Sequence, residues 1–198
     1  MNSRLYFQSS KPLKMKFLKF FILFILVLTI LFILVGVLNP TINYGHEITV
    51  DKPIEEVWAI HQDETKYDQW LVGFKSIDLI SGEASKVGSK YKIIVNPGDG
   101  QPDFEMIETI KSIKPNDHIT LNFDSDMMFF DQTTSFKELN GKTTLKTDSE
   151  VKAKGLMMRS LFGLMDMIGG SFQKQEVENI ENLKKVIDNN TTDYGLDS

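Results

Sequence analysis

One carboxylate has the setting that acid–base chemistry needs. Glu108 has the parity of Phe104, Met106 and Ile110 in a stretch with period-two hydrophobicity, so a strand would direct all four side chains to one face. A carboxylate in apolar surroundings has a raised pKa and can transfer protons near neutral pH. Glu108 is therefore the one candidate catalytic residue. The alternative is a solvated carboxylate near the end of a strand.

The remaining polar candidates do not form a recognisable motif. Thr134 and Thr147 are candidate hydroxyl partners for an internal carboxylate. His46, His61 and His118 fall on separate predicted elements, and their spacing does not match a metal site. We expect His61, at the end of a predicted helix, to contact the helix terminus or solvent. The absence of cysteine excludes disulfides and thiolate chemistry, and we expect neither a metal nor a cofactor.

Two short helices are predicted ahead of the main strand region. Pro53 suits a first helical turn, and the helix that follows places Ile54, Val57, Trp58 and His61 on one face. A second short helix is predicted over residues 64–71. These helices follow a short strand, residues 46–50, and would cover part of a sheet.

Alternating hydrophobicity and turn residues predict an antiparallel sheet over the middle of the chain. Asn140-Gly141 between two of the runs is a strong hairpin signal. Short turns between successive strands indicate antiparallel neighbours, and with the helices they make the fold class α+β. The predicted strands are residues 74–80, 90–95, 104–113, 119–123, 129–139 and 143–151.

Helical periodicity returns in the last third of the chain. Residues 156–168 are rich in leucine, methionine and phenylalanine, and Gly169-Gly170 should kink or break the helix. Beyond this break, the spacing of apolar residues predicts a long terminal helix with one buried face. That face comprises Phe172, Val177, Ile180, Leu183 and Ile187.

An uncharged apolar stretch, Phe20–Leu38, precedes the sheet region. As a helix of 1.5 Å per residue it would extend about 28 Å, close to the hydrocarbon thickness of a bilayer. A buried core helix and a cleaved signal peptide are the alternatives to an uncleaved transmembrane anchor. Five basic and no acidic residues precede it, which predicts a cytoplasmic amino terminus and an extracytoplasmic domain.

Charge limits the partners of the domain that follows. Five of the 22 basic residues precede the anchor, so the remainder carries 17 basic against 27 acidic residues, a balance of −10. This acidic balance argues against nucleic-acid binding, which needs clustered lysine and arginine. The predicted organisation is a basic tail (1–16), an anchor (17–38), a linker (39–43), one domain (44–188) and a flexible tail (189–198).

The order of these motifs resembles the START-like (SRPBCC) superfamily, and in particular its membrane-anchored bacterial polyketide cyclase/dehydrase and lipid transport branch. The matching residues lie between Tyr44 and Asp188. They are Ile48-Thr-Val-Asp-Lys-Pro53-Ile-Glu-Glu-Val-Trp58, Tyr67-Asp-Gln-Trp70, Val87-Gly88-Ser89, Glu108, Pro115-Asn116, Asn140-Gly-Lys-Thr143 and Ile180-Glu-Asn-Leu183-Lys184.

The resemblance implies a helix-grip fold, in which a curved antiparallel sheet encloses an apolar cavity with a long carboxy-terminal helix. We expect a membrane-anchored module that binds a hydrophobic small molecule or lipid. The alternatives are a cyclase- or dehydratase-type enzyme that uses the carboxylate of Glu108, and a protein-interaction module at the membrane with an unknown partner. The predicted cavity residues are Trp70, Phe74, Phe104, Met106, Phe130, Phe136, Leu164, Met165, Ile168 and Phe172, and core packing is the alternative role for each.

Overall fold

The computed structural model describes residues 12–96, 98, 100 and 102–195. Most of the predicted basic tail, and residues 196–198 of the predicted carboxy-terminal tail, lie outside the described residues. The elements in chain order are α1 (Pro12–Leu38), β1 (Ile42–Val50), α2 (Ile54–Gln62), a 3-10 turn (Glu64–Lys66), α3 (Tyr67–Trp70), β2 (Phe74–Ser81), β3 (Lys90–Val95), β4 (Phe104–Lys114), β5 (His118–Asp124), β6 (Met128–Leu139), β7 (Lys142–Ala153), α4 (Gly155–Gly169) and α5 (Ser171–Asp188).

The seven strands form one antiparallel sheet in the order β1-β7-β6-β5-β4-β3-β2. Six strands, β2 to β7, follow one another as antiparallel neighbours, and β1 closes the far edge by pairing with β7 along its whole length. The predicted α+β helix-grip architecture is thus confirmed. The β6–β7 hairpin turns at Asn140 and Gly141, whose φ angles of 56° and 75° are the left-handed values that a tight two-residue loop requires.

The first strand is longer than its sequence pattern predicted. It begins at Ile42 rather than His46, because Ile42 pairs with Val151 and continues the ladder with β7. Helix α5 is fastened to this strand through Gln173, whose amide donates to the carbonyl oxygen of Gly45 at 2.9 Å. The edge strand and the gripping helix therefore form one unit.

The predicted break between the last two helices is confirmed. Helix α4 ends at Gly169, α5 begins at Ser171, and Gly170 between them has φ 54° and ψ 44°. This left-handed conformation is cheap only for glycine. The break allows α4 to leave the path of α5, so that α4 packs mainly on α1 while α5 packs mainly on β1.

The buried core consists of two apolar clusters. The larger one joins α2, α5 and the ends of β1, β6 and β7 around Val57, Leu145 and Leu183. The smaller one lies beneath α4 around Val151 and Phe162. Since the two clusters are separate, the region between them on the sheet is filled by other side chains.

Helix α1 is long and apolar enough to span a bilayer. Its residues Met15–Leu38 reach a mean hydropathy of 3.4, and 6% of that window is buried in the protein. Its side chains face outward along nearly the whole length, in contrast to a core helix. Only the last turns, which include Phe32, Val35 and Gly36, are covered.

Candidate functional site

The candidate site is the inner face of the sheet, defined here as the side of the sheet that faces α5. Cross-strand pairing places Phe123 beside Phe130, and their rings stack with centroids 4.9 Å apart. Tyr44 stacks at 6.1 Å on Phe130 and at 5.8 Å on Phe172 of α5. A row of stacked aromatic rings thus extends from the sheet to α5.

Glu108 lies on this inner face, directly opposite Tyr91 on one side and Phe123 on the other. Its exposed fraction is 8%, and it makes no hydrogen bond or ion pair with any residue that the structure describes. Burial, with a smaller contribution from the charge of Glu64, raises its pKa from 4.5 to about 7. A carboxyl group in this setting can take up and release a proton near neutral pH.

A second buried carboxylate, Glu176, reaches the inner face from α5. The side-chain amide of Gln132 on β6 donates to both of its oxygens, at 3.2 and 3.3 Å, and to the hydroxyl of Ser149 at 3.2 Å. Burial raises the pKa of Glu176, while hydrogen bonds from Thr147 and Gln132 act in the opposite direction. The hydroxyl of Tyr44, whose own pKa is raised by burial, lies beside Ser149 and Glu176.

These residues form a polar band between the two apolar clusters. We use this name for Tyr44, Gln132, Thr147, Ser149 and Glu176. The predicted candidate Thr147 belongs to the band, and Thr134 is its cross-strand neighbour on β6, with 2% of its surface exposed. The region between the inner face of the sheet and α5 therefore has hydrogen-bonding groups at its centre and apolar side chains on either side.

His61 is placed differently from its predicted position at a solvated helix end. It is buried, its ring meets Phe136 edge-on with centroids 5.3 Å apart, and its centroid lies 5.7 Å from that of Trp70. Burial lowers its pKa to about 4, so the ring is neutral at physiological pH. The prediction was wrong because α3 and β6 close over the end of α2.

The other two histidines lie apart from Glu108. Nε2 of His46 is 2.9 Å from a carboxylate oxygen of Glu181 on α5. Nε2 of His118 is 2.8 Å from the hydroxyl of Ser112, on the opposite face of the sheet. Within the described ranges, the side chains of histidine, aspartate and glutamate form no cluster that could hold a metal ion.

The structure distributes the ten predicted cavity residues over three regions. Trp70 and Phe136 are buried in the larger apolar cluster, and Phe74 packs edge-on against Tyr67 at 5.7 Å. The inner-face strand residues and the aromatic row include Phe104, Met106, Phe130 and Phe172. Leu164, Met165 and Ile168 are not brought together with these, because they are 37%, 46% and 80% exposed on α4.

Part of the inner face is incompletely covered. Helix α5 lies against β1 at one edge of the sheet, so the inner faces of β3, β4 and β5 are farther from it. The side chains of Val95, Phe104, Met106, Leu121 and Phe130 are accordingly only half-buried. Two surface clefts, of about 430 and 560 Å³, lie elsewhere, the first beside α3 and the end of α5 and the second beside the start of α2.

Sequence reasoning missed Glu176. A signal was present, because Glu176 falls four residues after Phe172 and four before Ile180 on the predicted buried face of the last helix. In the structure Glu176 is 5% exposed, whereas Val177, which was predicted for that face, is only half-buried. A charged residue at an apolar spacing was the clue to an internal polar site.

Comparison with known protein families identifies the family of this chain. Residues 51–164, more than half of the chain, match the model of the Activator of Hsp90 ATPase homolog 1-like (AHSA1) protein family. The chain belongs to the AHSA1-like family. The predicted membership of the START-like superfamily is confirmed with it. No curated protein matches this AHSA1-like chain in sequence.

Solved structures share the fold of this AHSA1-like protein at low sequence identity. A conserved protein from Geobacillus kaustophilus is 22% identical, with TM-score 0.58, covering 74% of this chain and 95% of its own. The Zhui aromatase/cyclase from Streptomyces sp. R1128 is 10% identical, with TM-score 0.59 and coverages of 78% and 98%. Protein CV1439 from Chromobacterium violaceum is 16% identical, with TM-score 0.57 and coverages of 76% and 99%.

Proposed function

We propose that the protein binds a hydrophobic small molecule or lipid between the inner face of the sheet and α5, while α1 anchors it in a membrane. The apolar part of the ligand would lie on the half-buried side chains of β3 to β6. Its polar end would meet Glu108 or the polar band. Apolar lining with a few convergent polar groups is typical of small-molecule sites.

The observation that carries this proposal is the isolation of Glu108. Among the described residues, the fully buried side-chain atoms without a partner are Nε1 of Trp70 and the hydroxyl oxygen of Ser160, so the carboxyl oxygens of Glu108 can still be reached from outside. A largely desolvated carboxyl group that remains accessible is suited to a hydrogen bond with a ligand. Its neighbours on the inner face, Met106 and Leu121, are only half-buried, so their side chains remain accessible to a ligand. A bound hydroxyl, carbonyl or amide would satisfy the carboxyl group and cover these side chains.

The anchor is the second part of the proposal. Arg4, Lys11, Lys14, Lys16 and Lys19 precede or begin the apolar helix. Basic flanks are retained on the cytoplasmic side, so the domain would lie outside the cytoplasm. Only Asn39, Pro40 and Thr41 separate α1 from β1, which keeps the domain next to the bilayer.

Photocrosslinking in vesicles tests the binding site. The full chain would be reconstituted in phosphatidylcholine vesicles with a long-chain alcohol that carries a diazirine and is competed by unmodified alcohol. We expect saturable crosslinks on β4, β5 and β6 around Met106, Leu121 and Phe130. Crosslinks on α1 would report the bilayer alone and serve as the internal reference.

A matched pair of variants makes this experiment decisive. Met106→Trp should fill the half-buried space and reduce the saturable crosslinks about tenfold, a loss equivalent to ~1.4 kcal/mol of binding. Leu139→Trp, on a hairpin tip that is 75% exposed, should leave them unchanged. Crosslinks confined to α1, or an equal effect of both substitutions, would refute the proposal.

A dehydratase- or cyclase-type activity is the second candidate, and the protonatable Glu108 favours it. The carboxylate would remove a proton from a carbon between two carbonyl groups, the resulting carbanion would add to a ketone carbon farther along the same chain, and the carboxylic acid would return the proton to the alkoxide that forms. Removal of the second proton from the attacking carbon, with departure of the new hydroxyl group, would then release one water molecule. A synthetic β-polyketone thioester, followed by mass spectrometry for loss of water, is a direct test. Turnover that persists in Glu108→Gln would eliminate Glu108 from this role.

A further inference from the structure

Helix α4 presents an apolar stripe to the outside of the protein. We use the name α4 stripe for five residues spaced by four, three, one and three positions, which places them on one side of the helix. Their exposed fractions lie between 37% and 80%. The members of the α4 stripe are Met157, Leu161, Leu164, Met165 and Ile168.

The α4 stripe lies beside the end of the proposed membrane anchor. Gly36 of α1 meets Ser160 of α4 so closely that an added Cβ atom would lie 2.7 Å from the backbone nitrogen of Ser160. A Cβ atom added to Gly163 would likewise lie 2.9 Å from a methyl carbon of Val35. Small residues at a crossing allow helix backbones to approach closely, as they do between helices within membranes.

The crossing fixes the depth of α4 relative to α1. Gly36 and Val35, the residues that meet Ser160 and Gly163, lie two and three residues before Leu38, the last residue of the apolar helix. At 1.5 Å per residue this places the contact roughly 3 to 5 Å inside the apolar end of α1. Helices that lie in the membrane interface bury their apolar side to a comparable depth of about 5 to 10 Å.

Two further exposed apolar residues lie near the start of α4. The turn before β6 exposes 38% of Met127, and Phe129 is 42% exposed. This turn is joined to the start of α4, because the backbone nitrogen of Lys154 donates to the carbonyl oxygen of Met127 at 2.8 Å. The ammonium group of Lys154 lies 4.2 Å from the centre of the Phe129 ring, an arrangement suited to the headgroup level.

We propose that α4 is an interfacial membrane helix whose stripe contacts the acyl chains of the bilayer that α1 crosses. The inference rests on the membrane anchoring included in the proposed function. The opposite side of α4 is already occupied, since Met158 and Phe162 pack with Phe172 against the inner face of the sheet. Helix α4 would then stand between the bilayer and the proposed ligand site, so that an apolar ligand could pass directly from the membrane.

The absence of cysteine allows a direct test in the full chain. Single variants Leu161→Cys and Ile168→Cys would be labelled with a small fluorophore and reconstituted in phosphatidylcholine vesicles that contain nitroxide-labelled phosphatidylcholine. Ile25→Cys in the middle of α1 reports whether the anchor is inserted. Leu139→Cys is the matched control, because Leu139 is equally apolar and 75% exposed on a hairpin tip.

We expect the labels at Leu161 and Ile168 to lose most of their emission to the lipid nitroxide, as the label at Ile25 does, while the label at Leu139 keeps its emission. Quenching at Ile25 without quenching on α4 would overturn the inference and leave the anchor intact. A blue-shifted but unquenched α4 label would overturn it in favour of a protein partner or a second copy. An unquenched label at Ile25 would overturn both the inference and the anchoring.

Discussion

The side-chain amide of Gln132 on β6 donates to both carboxylate oxygens of Glu176 on α5, at 3.2 and 3.3 Å. This contact joins the sheet to the gripping helix inside the protein, in the gap between two apolar clusters. A buried polar pair of this kind stabilises only when both partners are present, because either one alone is a desolvated group without a partner.

The Gln132–Glu176 pair predicts strong coupling in a double-mutant cycle. Gln132→Leu should lower the free energy of unfolding by about 1–3 kcal/mol, because it removes the donor from a buried carboxylate. Glu176→Leu should be milder, and the double variant should lose less than the sum of the two. Urea unfolding of the full chain in a mild detergent measures all four proteins, and additive losses would contradict the pairing.

The buried Glu108 predicts a stability that falls with rising pH. Its pKa in the folded protein is about 7, above its ordinary value of 4.5. Between pH 4.5 and about pH 7, the folded state therefore keeps a proton that the unfolded state has already released. Its contribution to stability is therefore present below about pH 4.5 and is lost as the pH rises to about 7, by ~3 kcal/mol in total.

Substitution isolates this contribution. Glu108→Gln keeps the size of the side chain and removes its charge, so the variant should match the parent near pH 4 and exceed it in stability at pH 8. Glu105→Gln on the same strand is the control, since Glu105 lies exposed on the opposite face. A stability difference that does not vary with pH would show that Glu108 is not buried as a titrating group.

The burial of His61 predicts the opposite effect of pH on stability. Burial lowers its pKa to about 4, below the ordinary value of 6.5. Between about pH 4 and pH 6.5, the unfolded state therefore binds a proton that the folded state does not bind. Stability is thus full above pH 6.5 and declines as the pH falls towards 4, by ~3 kcal/mol in total. Thermal unfolding of His61→Leu across this range should show less acid destabilisation than the parent.

In the parent protein, the effects of Glu108 and His61 on stability nearly cancel between about pH 4.5 and 6.5. In this range the contribution of His61 increases with pH while that of Glu108 decreases. The single variants should therefore diverge. With Glu108→Gln stability should increase with pH over this window, and with His61→Leu it should decrease. Parallel pH profiles for the two variants would contradict the burial of both groups.

Local sequence signals predicted the elements well because these signals act over a few residues. Asn140 and Gly141 provide left-handed backbone at the hairpin and Gly170 provides it at the helix break, and both features are found where they were predicted. Alternation of apolar residues gave the strands of the sheet. The edge strand was predicted too short because its first residues are fixed by pairing with β7, more than a hundred positions later.

The environment of individual side chains was less predictable because it depends on contacts between distant segments. His61 is buried by Trp70 and Phe136, from two other elements, although its position at a helix end suggested exposure. The apolar residues of α4 suggested a cavity wall, yet the fold turns several of them outward beside α1. Periodicity identifies an apolar face but not what covers it.

The break at Gly170 predicts contrasting effects of two adjacent substitutions. Gly170→Ala places a side chain on a left-handed residue and should destabilise the protein by about 1 kcal/mol. Gly169→Ala adds a methyl group in open space at the last residue of α4 and should be neutral or stabilising by up to ~1 kcal/mol. Equal effects in thermal unfolding would show that α4 and α5 are not separated at this residue.

The crossing of α1 and α4 predicts that one helix holds the other in place. Gly36→Leu has no room against the backbone of Ser160 and should push the two helices apart, so that amides of α4 exchange hydrogen faster. Val37→Leu is the control, because Val37 is 57% exposed and tolerates a larger side chain. Hydrogen exchange of the reconstituted chain, followed by mass spectrometry, compares the two. Faster exchange confined to α4 and to Gly36→Leu is expected, and unchanged exchange in both variants would mean that α4 is held by the sheet alone.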